Sequence, residues 1–196
     1  MSDGWEGAAI TRRLGAVLLV WAAGVVLVQG WNEEAVRAVV RLTARTSLGL
    51  FLPVFVASAL ARRWPRPATR WLLRNRRWVA LSFAVSHGLH FLALVALGVW
   101  FPHPFLDDLD ALTVVLGGTG FVAIAVLAAT STDAAVRRLG TVRWRRLHRT
   151  CVYYLWAVFT LTLLGGAAEG SARFTVLVAI LLAALGLRLS ARQRAA

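Results

Sequence analysis

The sequence has no lysine, a single cysteine and few acidic residues, and what it lacks excludes several kinds of site. All 22 basic residues are arginine, and nine acidic residues leave a formal net charge of +13. Because Cys151 is alone, neither an internal disulfide framework nor a zinc site of several thiolates can form. The sequence also lacks a glycine-rich phosphate-binding loop, so no flavin or nicotinamide fold is predicted. Any electrons that the chain handles must therefore come from another molecule.

Long stretches without charge dominate the chain instead. Hydrophobic residues make up 59% of the 196 positions, and the mean hydropathy is +0.67. A helix needs about 20 apolar residues to cross the hydrocarbon of a membrane. We therefore predict an all-α, multi-pass protein of the inner membrane, with a single transmembrane domain over residues 1–196. Its six predicted helices cover residues 14–32, 46–61, 78–100, 111–132, 150–168 and 174–190.

The arginines are divided unequally between the two ends of the predicted helices. One end carries 18 of the 22, within residues 12–13, 62–77, 137–149 and 188–194. The positive-inside rule predicts that this end, with both termini, is cytoplasmic. In a membrane protein such a balance indicates contact with anionic membrane lipid rather than nucleic acid. The last predicted span is short, so Arg188 is expected to extend its side chain to the interface.

Two short helices are predicted on the cytoplasmic side. Residues 71–77 follow a proline-rich break and are expected to form a basic helix that lies at the lipid headgroups. Ser131 or Thr132 is predicted to cap another helix over residues 133–139, which ends at Gly140.

Two histidines, His87 and His90, lie three residues apart within the third predicted span. Three residues turn a helix by about 300° and raise it by about 4.5 Å, so both imidazoles are expected near one face. His148 begins the fifth predicted span, whereas His103 is expected to be a solvated loop residue. No carboxylate lies inside any predicted span, which disfavours a hydrolytic metal site. Haem iron, a proton relay or a polar contact between helices remain as uses for the pair.

Three segments together resemble the ferric-reductase-like transmembrane domain family. They are RNRRWVALSFAVSHGLHF, LAATSTDAAVRRLG and WRRLHRTCVYYLWAVF, which begin at Arg74, Leu127 and Trp144. This family includes the haem-binding membrane subunit of the periplasmic methionine sulfoxide reductase system and, more distantly, the membrane part of NADPH oxidases. The resemblance covers roughly residues 46–162.

The resemblance implies a six-helix bundle that binds haem b between the third and fifth helices. Electrons would pass between a cytoplasmic reductase or a membrane quinone and an acceptor on the outer side. By position, His90 matches the third-helix ligand and His148 the cytoplasmic ligand of the fifth helix, with His87 as a neighbouring candidate. The candidate partners of the haem propionates are Arg76, Arg77 and Arg149.

One departure from the family concerns the fifth helix, where Leu161 stands at the place of a further histidine. His90 lies thirteen residues, or about 20 Å of helix, beyond Arg77, whereas His148 is at the cytoplasmic end of its own span. Three cases follow. The chain binds one haem through a single protein ligand, or one haem between a third-helix histidine and a deeply placed His148. In the third case it is a haem-free assembly or transport module.

Overall fold

The computed structural model describes residues 5–107 and 109–193, which are helical and contain no strand. Six helices in this part of the chain are long and apolar enough to cross a membrane, and this confirms the predicted all-α membrane fold. Arg194, one of the arginines used to orient the chain, lies outside the described residues. The helices are α1 (Ala8–Gln29), α2 (Glu33–Arg63), α3 (Pro67–Trp100), α4 (Pro102–Asp107), α5 (Ala111–Ala129), α6 (Asp133–Leu139), α7 (Thr141–Ala168) and α8 (Ala172–Gln193).

Helix α3 is longer than the charge-free stretch from which it was predicted. It contains 34 residues, or about 51 Å of helix, against the ~30 Å of a hydrocarbon core. Pro67 occupies its first position, where the missing N–H has no intrahelical partner to lose. The prediction of a separate basic helix over residues 71–77 was wrong, because this segment is part of α3.

Packing divides the chain into two compact units, and α2 and α3 contribute to both. Unit 1 comprises the described residues of Met1–Phe51 and Arg77–Val114. Its core contains the buried side chains of Val36, Val39, Ala93 and Leu97, which join α2 to α3. The start of α1 is attached by the Thr11 hydroxyl, which donates to the carbonyl of Trp78 at 2.9 Å.

Unit 2 comprises Leu52–Arg76 and the described residues of Val115–Ala196. Leu155 of α7 and Leu181 of α8 are buried in it. The indole N–H of Trp156 donates to the carbonyl of Leu181 at 2.9 Å, so a hydrogen bond as well as apolar packing joins α7 to α8.

The short helix α6 forms as predicted from the sequence. The hydroxyl of Thr132 accepts the backbone N–H of Ala135 at 3.1 Å, which satisfies one of the helix's unpaired donors. At the other end Gly140 has φ 74°, a left-handed conformation that glycine adopts without a steric penalty. The break at Gly140 separates α6 from α7.

Arg188 is buried, in contrast to the expectation that it reaches the interface. Only 7% of its surface is exposed, and its Nη1 donates to the carbonyl of Phe55 at 2.6 Å. The guanidinium lies over the rings of Phe55 and Tyr153, 4.5 and 4.9 Å from their centroids. Two aromatic faces and a carbonyl stabilise the cation inside unit 2 and remove the need to reach water.

Candidate functional site

His90 of unit 1 is held by hydrogen bonds to α2. Its Nδ1 lies 3.2 Å from the carbonyl oxygen of Val40 and 3.2 Å from Oγ1 of Thr43. A carbonyl can only accept, so Nδ1 must carry the proton. The Thr43 hydroxyl donates to the carbonyl of Val39 at 2.7 Å, so its oxygen is a second acceptor for the same N–H. The lone pair of the neutral ring is therefore on Nε2, as in histidines that bind metals through that atom.

A cluster of buried hydroxyl groups fixes the position of α2 against α3 beside His90. Ser86 Oγ lies 2.8 Å from Thr46 Oγ1, accepts from Ser47 Oγ at 3.0 Å and donates to the carbonyl of Thr43 at 3.2 Å. Ser47 and Ser86 are fully buried. Such small polar side chains allow transmembrane helices to approach closely and to hydrogen-bond across the contact. The cluster thus sets the register that places His90 opposite Val40.

His87 lies next to His90 on the same side of α3. The two ring centroids are 5.1 Å apart, which confirms the prediction that both imidazoles share one face. On its other side the ring of His87 is 5.6 Å from that of Phe83. His87 therefore stands between an aromatic ring and the histidine that α2 orients.

His148 of unit 2 has the opposite hydrogen-bonding arrangement. Its Nε2 lies 2.8 Å from Oγ1 of Thr130, and the Thr130 hydroxyl donates its own hydrogen to the carbonyl of Val126 at 2.6 Å. Because the Thr130 oxygen is then an acceptor for the ring, we assign the proton of His148 to Nε2 and the lone pair to Nδ1. The ring of Trp144 lies over His148 at 4.2 Å, and its indole N–H donates to the carbonyl of Thr130 at 2.8 Å.

The three candidate arginines differ in their surroundings. Arg76 is half-buried in unit 2 and close enough to His148 to interact with it electrostatically. Arg149 is exposed in the same unit. Arg77 belongs to unit 1, where its guanidinium lies 5.1 Å from the centre of the Trp78 ring. Of the three arginines, Arg76 therefore has an electrostatic interaction with a candidate ligand, His148, within its own unit.

The remaining predicted positions lie at the surface of the described chain. His103 is exposed, on the short helix α4 rather than in a loop. Leu161 is 52% exposed on α7. In residues 5–107 and 109–193, no three histidine, cysteine or acidic side chains converge as metal ligands. Haem iron is less demanding, because one or two imidazoles are enough to hold it.

The sequence did not reveal the partners of the two histidines. Val40 acts through its carbonyl, a group that every residue has, so nothing in the sequence marks it. Thr130 and Trp144 lie within the segments that carried the family resemblance, but their contacts with His148 join α5 to α7. A hydroxyl residue at the end of one span and a histidine near the start of the next is a signal that could have indicated this pair.

Comparison with known proteins found no matching family model and no matching solved structure. Curated relatives do match, and three are subunits named protein-methionine-sulfoxide reductase heme-binding subunit MsrQ. The chain is 30% identical to the one from Salmonella arizonae over 169 residues, which is 76% of the chain and 78% of the relative.

The two other relatives align over shorter stretches. Identity is 36% over 127 residues with the subunit from Bordetella pertussis and 34% over 110 residues with that from Azospira oryzae. These alignments span 57% and 45% of the two relatives, about half of their length. The Salmonella alignment covers most of both chains, and the described residues contain six helices that could cross a membrane. The chain therefore belongs to the family of haem-binding subunits of protein-methionine-sulfoxide reductase, as a multi-pass protein of the bacterial inner membrane.

Proposed function

We propose that the chain is a haem b protein that transfers electrons across the inner membrane. A cytoplasmic reductase or a membrane quinone would be the donor. The acceptor would be the protein-methionine-sulfoxide reductase that gives the relatives their name, on the outer side. Haem, when bound, supplies the one-electron redox chemistry. The protein's own residues bind and orient it, and exclude water.

The observation that carries this proposal is the hydrogen bond from Nδ1 of His90 to the carbonyl of Val40. A histidine that binds a metal almost always donates its other ring N–H to such a partner, which fixes the tautomer and the ring orientation. The residues of unit 1 therefore fit the role of a haem ligand through Nε2.

The other candidate residues have supporting roles in this proposal. His148 is the candidate ligand of unit 2, and His87 is the neighbour that can replace His90. Propionate carboxylates would pair with guanidinium groups, which bind carboxylates through two parallel hydrogen bonds. The candidates for this pairing are Arg76, Arg77 and Arg149.

We also propose that both termini and the arginine-rich connections face the cytoplasm. The support is the positive-inside rule applied to the 18 arginines on that side. In this orientation His148 lies near the cytoplasmic side, where the donor would bind. The segment of α3 that carries His90 extends toward the outer side.

The test is an optical spectrum of the purified protein with and without dithionite. We expect reduced b-type bands that are lost in His90→Ala and kept in His103→Ala, a matched control on an exposed histidine. Absence of these bands from the unaltered protein, even after haem addition, would contradict the proposal and favour a haem-free assembly or transport module.

A further inference from the structure

The end of α5 is joined to the start of α7 by three side chains of unit 2. Thr130 follows the last residue of α5, and its hydroxyl accepts the Nε2–H of His148 at 2.8 Å. Trp144 lies one helical turn before His148 and contacts both residues, through its ring and its indole N–H. The imidazole of His148 is thus fixed in position and in tautomer.

The two threonines that contact the candidate ligands act on opposite ring nitrogens. Thr43 accepts from Nδ1 of His90 and so leaves the Nε2 lone pair directed away from α2. Thr130 accepts from Nε2 of His148 and so occupies the atom that a haem ligand uses. Because a nitrogen that carries a proton has no lone pair for iron, the first contact favours ligation through Nε2 and the second opposes it.

We propose that Thr130 is a positioning residue that competes with haem iron for Nε2 of His148. This inference rests on the proposed function. In the exchange, the hydrogen bond from Nε2–H to Thr130 breaks, the Nε2–H bond itself breaks, and an N–H bond forms at Nδ1 of the same ring. The Nε2 lone pair is then available for coordination, so no electron is transferred and no net charge develops on the ring. Thr130 thereby sets how readily His148 becomes a ligand.

A purely structural role for the same contacts makes a different prediction. If Thr130 and Trp144 served only to join α5 to α7, loss of the Thr130 hydroxyl would lower stability and leave the histidine tautomer unchanged. Competition instead requires the tautomer of His148 to change when the hydroxyl is removed.

The tautomers are measured in haem-free protein labelled with 15N-histidine, with His148→Gln and His90→Gln used to assign the signals. We expect His148 to carry its proton on Nε2 and His90 on Nδ1. In Thr130→Val the His148 signal should change to a mixture of tautomers, while Thr130→Ser should preserve it. Thr119→Val removes a hydroxyl elsewhere on α5 and serves as the control. Thr130→Ala is the second variant if valine disturbs the end of α5.

Haem titration of the same variants tests the competition itself. Thr130→Val should bind haem roughly two- to tenfold more tightly, the range that one neutral hydrogen bond supplies, and Thr43→Val should bind it more weakly by a similar factor. An unchanged His148 tautomer in both Thr130→Val and Thr130→Ala would overturn the positioning role. Changed tautomers with unchanged haem affinity would overturn the competition. Absence of haem binding by the unaltered protein would overturn the proposed function and the competition together, while the tautomer result would still decide the positioning role.

Discussion

Asp110 shows how one side chain determines where a helix begins. Its carboxylate accepts the backbone N–H of Thr113 at 2.9 Å and the Thr113 hydroxyl at 2.5 Å. A carboxylate in this position also interacts favourably with the positive end of the helix dipole. The hydrogen bonds from Thr113, first from its side chain and then from its backbone, hold the pKa of Asp110 below its ordinary value.

This contact predicts a pH dependence with a definite sign. Because the folded pKa of Asp110 is lower than the unfolded pKa, its contribution to stability is complete above the unfolded value of about 3.9 and is lost as the pH falls through the folded value. A titration of the Asp110 carboxyl by 13C NMR should give a midpoint below the ordinary aspartate value of about 3.9. A midpoint at or above the ordinary value would contradict the cap.

Single residues also show what the sequence could and could not predict. The shared face of His87 and His90 and a cap at Ser131 or Thr132 were predicted, because each depends on spacing along the chain. The assigned tautomers of His90 and His148 were not, because they depend on acceptors in other parts of the chain. The burial of Arg188 was missed for the same reason, since Phe55 is far away in sequence.

At the scale of the helical element, the contact between α7 and α8 depends on one glycine. A Cβ on Gly166 would lie 2.3 Å from Cδ2 of Phe174, whereas a Cβ on the preceding Gly165 would meet no atom within 4 Å. The two positions form a matched pair in the same helix.

Gly166→Ala should therefore lower the free energy of unfolding by about 1–3 kcal/mol, the usual cost of overpacking. Gly165→Ala should be neutral or slightly stabilising, because alanine favours the helix over glycine. Thermal unfolding in detergent measures both variants. Equal melting temperatures would show that the ring of Phe174 moves aside without cost.

The hydrogen bond and ring contacts of Arg188 predict a second difference between positions on one helix. Arg188→Ala removes a hydrogen bond from a charged donor and two cation–π contacts, so we expect a loss of roughly 2–4 kcal/mol in unfolding free energy. Arg173→Ala, at an exposed arginine at the start of α8, should change it by less than about 1 kcal/mol. Arg188→Met keeps most of the side-chain volume and shows in thermal unfolding how much of the loss comes from the charge.

At the scale of the whole molecule, the arginine distribution predicts a single orientation in the membrane. In a Cys151→Ser background, Asp107→Cys should react with a membrane-impermeant maleimide in intact cells. Arg138→Cys on α6 should react only after the membrane is permeabilised. Both native side chains are exposed, so the difference reports their location. The reverse pattern would place the arginine-rich end outside and contradict the proposed direction of electron transfer.

The fold class and the number of candidate membrane spans in the described residues were predictable, whereas helix length was not. Six charge-free stretches correspond to six long helices because a membrane requires a minimum apolar length. That requirement sets no upper limit, so α2 begins at Glu33 and α3 at Pro67, well before the apolar stretches from which they were predicted. The additional turns of α2 carry charged residues among apolar ones such as Val36 and Val39, which are buried, so a search for charge-free stretches does not find them.

The hydroxyl cluster between α2 and α3 has a consequence for energy conversion. Ser47 and Ser86 hydrogen-bond across the same pair of helices that the bond between His90 and Val40 joins, so a change in helix separation would alter that bond. A stronger bond at Nδ1 makes the imidazole a better electron donor to a metal, and hydrogen bonding around a cofactor is one of the means by which a protein tunes its reduction potential. In such a chain the packing of α2 against α3 would contribute to the driving force for electron transfer. Relatives that differ only at these serines would then have different reduction potentials.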